Sequence, residues 1–168
     1  MVTIMQLSTV IRQRVNDNDK INYTDEEIVA DVAMACRYLS NILINRRSPE
    51  MIVSEDIVDY SAVPEDFHSF VGQFPAWREG PVLRTSTGQD AMTIKYWGFR
   101  GHKLSSLNDV IPFNDNYQDI IITIASMLLL NRDEFDTGTE QTIISTIQSL
   151  LPPLAFPASS DSKESKKK

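Results

Sequence analysis

The strongest constraint in the sequence is one unbroken helical signal running from Thr24 to about Arg47. Thr24 stands three residues before Glu27, the spacing of a capping box. Asp25 and Glu26 favour the positive end of the helix dipole, and Tyr23 is placed to pack on Ile28. Ile28, Val32, Ala35, Leu39 and Ile42–Leu43 recur at helical spacing. Arg46 and Arg47 complement the C-terminus, and Pro49 forbids continuation. About 22 residues make a rod of roughly 33 Å, the expected spine of the domain.

Three further helices are predicted around it. Thr3 and Gln6 form another capping box, with Val2 and Leu7 at staple positions and Ile4, Leu7, Ile11 and Val15 as the apolar stripe. Helical spacing returns at Asn114 or Asp115. There Tyr117, Ile120, Ile121, Ile124, Met127 and Leu128 cover more than one face, so that helix is expected to be buried on several sides. A last helix begins near Thr137, with Glu140 at its third position, and stops at Pro152-Pro153.

Between residues 51 and 97 the period changes. Ile52-Val53 and Ile57-Val58-Asp59-Tyr60 are rich in strand formers. Val82–Thr85 and Met92–Trp97 flank Ser86-Thr87-Gly88-Gln89-Asp90, which reads as a β-hairpin. Pro64-Glu65-Asp66 reads as the start of a short helical turn carrying Phe67, Phe70 and Val71 on one face. The expected fold is therefore α+β and helix-dominated. It has a four-helix bundle-like core of two N-terminal and two C-terminal helices, a small β-hairpin insertion at about 51–97, and an extended C-terminal tail. Residues 1–154 form one domain and 155–168 a polar, Lys-rich tail too hydrophilic to fold alone.

Composition narrows the function classes. A chain of 168 residues, 42% apolar, can bury about 70% of its surface in one core. A lone cysteine, Cys36, excludes an internal disulfide and suits a reduced, intracellular-type protein. The longest apolar run, Ile120 to Leu130, is broken by Thr123 and Ser126, so no membrane span is expected. The first residues lack a basic stretch, so no secretory signal is expected. The net charge is −7, and the tail from Ala155 sets four lysines against Asp161 and Glu164, leaving the body at −9. A surface so acidic does not grip phosphates broadly.

Residues able to carry chemistry are sparse. Cys36 lies on the apolar side of the spine helix and reads as a small buried filler. His68 and His102 lack partners at metal-ligand spacing. Glu55, Asp56, Asp59, Glu65 and Asp66 read as solvated strand faces plus a helix start. Gly98-x-x-Gly101 is too little for a phosphate-binding loop. The sequence thus predicts no enzyme, and no catalytic, cofactor or metal-binding residue. Lys95, Arg100, His102 and Lys103 form the one basic patch of the body, interleaved with Tyr96, Trp97 and Phe99. Those residue types suit a protein interface better than a nucleic-acid grip on so acidic a chain. On a strand Tyr96 and Trp97 point to opposite faces, so only one is expected in the core.

Several segments together resemble the head-to-tail adaptor (connector, or head-completion) proteins of tailed bacteriophages, the short-tailed type in particular. They are Val63-Pro64-Glu65-Asp66-Phe67-x-x-Phe70-Val71-Gly72-Gln73-x-Pro75, then Lys95-Tyr96. Leu104-x-x-Leu107-x-Asp109-x-Ile111-Pro112-Phe113-x-Asp115-x-Tyr117 and Leu130-Asn131-Arg132-x-Glu134-Phe135 complete the set. The resemblance spans about Asp25 to Leu151 and implies a structural virion protein of the neck, assembled in the host cytoplasm. It implies a homo-oligomeric ring of about twelve copies, built from heterologous contacts, that docks on the portal protein. It also implies a tail nozzle or hub protein as partner, with DNA passing transiently through the lumen and no membrane involved. On that reading Phe67, Phe70, Phe74, Trp77, Tyr96, Trp97, Phe99, Arg100 and Lys103 are expected at interfaces. Lys163, Lys166, Lys167 and Lys168 are expected on the portal. The alternative is a small acidic regulatory module that meets a basic protein through Glu55, Asp56 and Asp59.

Overall fold

The computed structural model describes residues 2–88, 90–132 and 136–152. Helix α1 (Ile4–Arg14) and helix α2 (Asp25–Asn45) start where the two capping boxes place them. Thr24 Oγ1 accepts from the Glu27 amide at 3.2 Å, and the Glu27 carboxylate accepts from the Thr24 amide at 2.8 Å. A single 3₁₀ turn (Pro49–Met51) leads into strands β1 (Ile52–Ile57), β2 (Ser61–Ala62), β3 (Phe67–Phe70), β4 (Ala76–Glu79), β5 (Val82–Thr85) and β6 (Met92–Gly98). After a long linker, a second 3₁₀ turn (Asp115–Tyr117), capped by the Asn114 side chain, precedes α3 (Gln118–Leu130) and α4 (Thr137–Leu150). Asp136, one residue before the expected start, caps α4 by accepting from the Thr139 amide at 2.8 Å.

The α+β class stands, but the four-helix bundle with a hairpin insertion does not. The strands form two three-stranded antiparallel sheets, β1-β6-β3 and β2-β5-β4. They enclose an apolar cluster of their own: Ile57, Leu83, Ile94 and Tyr96, with Phe67, Phe70 and Phe74 around them. The helices build a separate core on α3, whose Ile120, Ile121, Ile124 and Leu128 are all buried. α3 packs against α1, α2 and α4. Trp97, Phe99, Leu104, Leu107 and Phe113, from β6 and the linker, complete this core where a bundle would place only helices.

The expected hairpin pairs differently for a reason of chain closure. β5 pairs with β4, in register from Ala76↔Thr85 to Glu79↔Val82, across a two-residue turn at Gly80-Pro81. That loop is shorter than the one leading to β6, so its closure costs less entropy. β6 is instead paired with β1, from Ile52↔Trp97 to Ile57↔Met92, and with β3. The turn expected after Pro64 is not a helix; its Phe67 and Phe70 lie in β3. A β-bulge between Phe67 and Ser69 breaks the alternation, so rings three residues apart both reach the Tyr96 cluster and imitate helical spacing.

One glycine joins the two halves, and a second allows close packing inside the sheet half. A Cβ on Gly101, which has φ +88°, would lie 2.6 Å from the Cys36 Cβ, and one on Gly98 would lie 2.8 Å from Val53. The strand's exit therefore lies directly on α2, where the Arg100 amide also donates to the buried Ser40 hydroxyl at 2.9 Å. Packing, not phosphate binding, accounts for these glycines.

Candidate interaction surface

The outer face of the β2-β5-β4 sheet gathers the most exposed aromatic side chains of the described residues around one arginine. Cross-strand pairing sets Trp77 of β4 opposite Arg84 of β5. The Arg84 guanidinium lies 4.0 Å from the Tyr60 ring centroid and 5.9 Å from that of Trp77. Tyr60 is 61% and Trp77 48% exposed. The guanidinium is fixed from below, donating to Asp59 Oδ1 at 2.8 Å and to Glu79 Oε2 at 2.8 Å. Asp59 Oδ1 also accepts from the Thr85 amide at 3.0 Å. Arg84, then that amide, hold the Asp59 carboxyl below its ordinary range and keep it ionised.

Tyr60 holds the left-handed conformation, φ +68°, which is unfavourable for a bulky L-residue. A large ring on a strained backbone, exposed and laid on a buttressed arginine, forms a preorganised platform. Tyr, Trp and Arg are the side chains that dominate binding energy at protein interfaces.

The sequence-predicted interface residues divide. Trp77 is on the platform. Phe67, Phe70 and Phe74 pack in the sheet core. Tyr96 is buried with them, its hydroxyl 2.9 Å from Asp66 Oδ1 and 3.1 Å from Glu55 Oε2. Burial and these carboxylates push its phenol pKa upward. Trp97 is half-buried against the helical core, so Tyr96 and Trp97 do point apart, but each into a different core. Phe99 is half-buried there too, with Arg37 at 5.9 Å from its ring centroid. Arg100 donates to the Glu50 carbonyl at 3.0 Å, and Lys103 is exposed. Lys163, Lys166, Lys167 and Lys168 lie outside the described residues, as do Glu134 and Phe135.

Tyr60 and Arg84 were not singled out by sequence reasoning. No local pattern marks them, because Asp59 and Arg84 lie 25 residues apart and meet only through sheet pairing. Asp59, grouped from the sequence with Glu55 and Asp56, is separated from them and holds Arg84.

Cys36 is fully buried, and burial pushes its thiol up to about 12, so it carries no thiolate at neutral pH. Among the described residues no three His, Cys, Asp or Glu side chains are placed to hold a metal ion, and no helix is long and apolar enough to cross a membrane. The resemblance-bearing linker has a structural task. The Ile4 and Met5 amides donate to the Asp109 and Leu107 carbonyls at 3.0 and 2.7 Å, and Asp109 accepts from the Ser105 and Ser106 amides. No protein-family model matches the chain, and no curated protein matches it in sequence.

Proposed function

We propose that this chain is a structural assembly subunit, the head-to-tail adaptor of a tailed bacteriophage. In this role copies of it form a ring under the portal and offer a platform to the tail. The observation that carries the reading is the Tyr60–Arg84–Trp77 platform, a rigid aromatic surface held outside both cores with two carboxylates and a strained backbone fixing its shape. Rigid aromatic anchors lose little conformational entropy on docking, which suits a part that must seat in one geometry. The ordered segments from Val63 to Arg132 add the family resemblance, and an acidic body fits a lumen along which DNA slides without phosphate partners.

The test is negative-stain imaging of the purified chain mixed with the portal protein of the same virion. Ring-shaped density added at the portal's narrow end is the expected result, with occupancy reduced when Trp77→Ala is used. A chain that stays monomeric and never joins the portal overturns the reading.

A further inference from the structure

A second exposed anchor is built on the same plan, in the connection between the first two helices. Ile21, in the loop between α1 and α2, is 79% exposed, the highest value among the exposed large apolar side chains of the described residues. Its loop is nevertheless locked. Asp17 accepts from the Ile21, Asn22 and Tyr23 amides at 2.9, 2.8 and 3.3 Å. The buried Arg12 guanidinium lies 2.5 Å from the same carboxylate, and it also donates to the Tyr23 carbonyl at 2.9 Å and to Asp25 at 2.7 Å. Asn16 and Lys20 are both left-handed, at φ +56°. A buried ion pair and two left-handed residues thus fix a loop on which an isoleucine stays out in water.

A receptor of matching character lies on α2 and the linker. A hollow of about 370 Å³ has Ala30, Ala33, Met34, Phe99 and Leu104 as its apolar lining, with Met34 45% exposed. Arg37 and Arg100 stand on its rim, and Glu65 is its one acid. Beside Ile21 the loop carries exposed Asp19 and Lys20, the Lys20 ammonium lying 3.9 Å from Asp25, and the helix start carries exposed Glu26. With Lys20 set against Asp25, the knob's flank is acidic on balance, and it matches an apolar hollow lined by two arginines. Ile21 does not line that hollow in its own chain, which leaves both surfaces open to a second copy.

We infer that the Ile21 knob of one copy seats in the Met34–Phe99 hollow of the next, with Asp19 and Glu26 against Arg37 and Arg100. Knob and hollow are different patches, so the contact is heterologous and propagates head to tail. The inference rests on the self-assembly reading and specifies its lateral contact.

The test pairs Ile21→Cys with Met34→Cys in one full-length chain, treated with a short bis-maleimide, while light scattering follows mass against concentration. Cys36, buried and protonated, does not compete. The double variant should give a cross-linked ladder running past two copies, which either single variant lacks. Ile21→Ser should weaken association about tenfold or more while leaving the melting curve unchanged. Arg37→Glu should weaken it likewise, and adding Asp19→Lys should restore it. If wild type associates while Ile21→Ser associates equally and no ladder forms, the knob contact is overturned and self-assembly stands. A ladder that stops at two copies shows reciprocal pairing and overturns the head-to-tail geometry. A chain monomeric at every concentration, without cross-links, overturns both the self-assembly reading and this contact.

Discussion

At the scale of single residues, the Arg12–Asp17 pair decides how firmly the α1–α2 connection is held. Both side chains are almost fully buried, so the attraction acts where water screens little, and removing one partner strands the other. Arg12→Met keeps most of the volume and loses the charge. It is expected to cost about 3–5 kcal/mol, read as a fall in the urea midpoint. The pH dependence has a definite sign. The Asn22 amide, with those of Ile21 and Tyr23 and the Arg12 charge, holds the Asp17 carboxyl below its ordinary range. A depressed folded-state value contributes stability above the unfolded value of about 3.9, and the contribution is lost as pH falls below it. Arg12→Met raises the folded value toward the unfolded one. The variant, though weaker at pH 7, is therefore expected to lose less stability than wild type between pH 7 and 3. An equal or steeper acid loss by denaturant titration contradicts this account of the loop.

At the scale of elements, the helices were legible because their signals are local. The capping residues Thr3 with Gln6 and Thr24 with Glu27, and stripes such as Ile28–Val32–Ala35–Leu39, act within four residues of one another. The strands themselves were visible as Ile52-Val53 and Met92–Trp97, but their partners were not. Choosing β1 and β3 for β6, and β4 for β5, depends on loop closure and on which rings fill the space around Tyr96. The platform was half legible for the same reason: Trp77 announces itself by type, whereas Tyr60 and Arg84 matter only once β4 and β5 are side by side. Gly101 belongs to this scale too, since it sets how closely the exit of β6 approaches α2. Gly101→Ala places a methyl 2.6 Å from the Cys36 Cβ at a φ of +88°. Overpacking of about 1–3 kcal/mol adds to a conformational cost of about 1–2 kcal/mol. The expected fall in melting temperature is several degrees or more, and Cys36→Gly, destabilising by itself in mid-helix, should cost less in the Gly101→Ala chain than in wild type because it clears the contact. A melt unchanged by Gly101→Ala is evidence that this approach does not hold the two halves together.

At the scale of the whole molecule, β6 serves two cores at once, with Ile94 and Tyr96 facing the sheets' cluster and Trp97 turned into the helices' core. Such a layout fixes the two halves relative to each other, so that surfaces far apart in sequence are presented at a set angle, which the proposed assembly role would use. The platform itself lies outside both cores, and its strain is therefore separable from the fold. At φ +68° Tyr60 costs about 1–2 kcal/mol, which its stacking on Arg84 offsets by about 0.5–1 kcal/mol. Tyr60→Gly removes both the strain and the ring. Its melting temperature is expected within about 3 °C of wild type, since 1 kcal/mol moves a domain of this size by about 2–4 °C. Loading onto the portal, scored by the same imaging, is expected to fall sharply. The opposite pattern, a marked loss of stability with loading intact, makes Tyr60 a structural pin of the β2-β5-β4 sheet. It removes the platform as the surface on which partners seat.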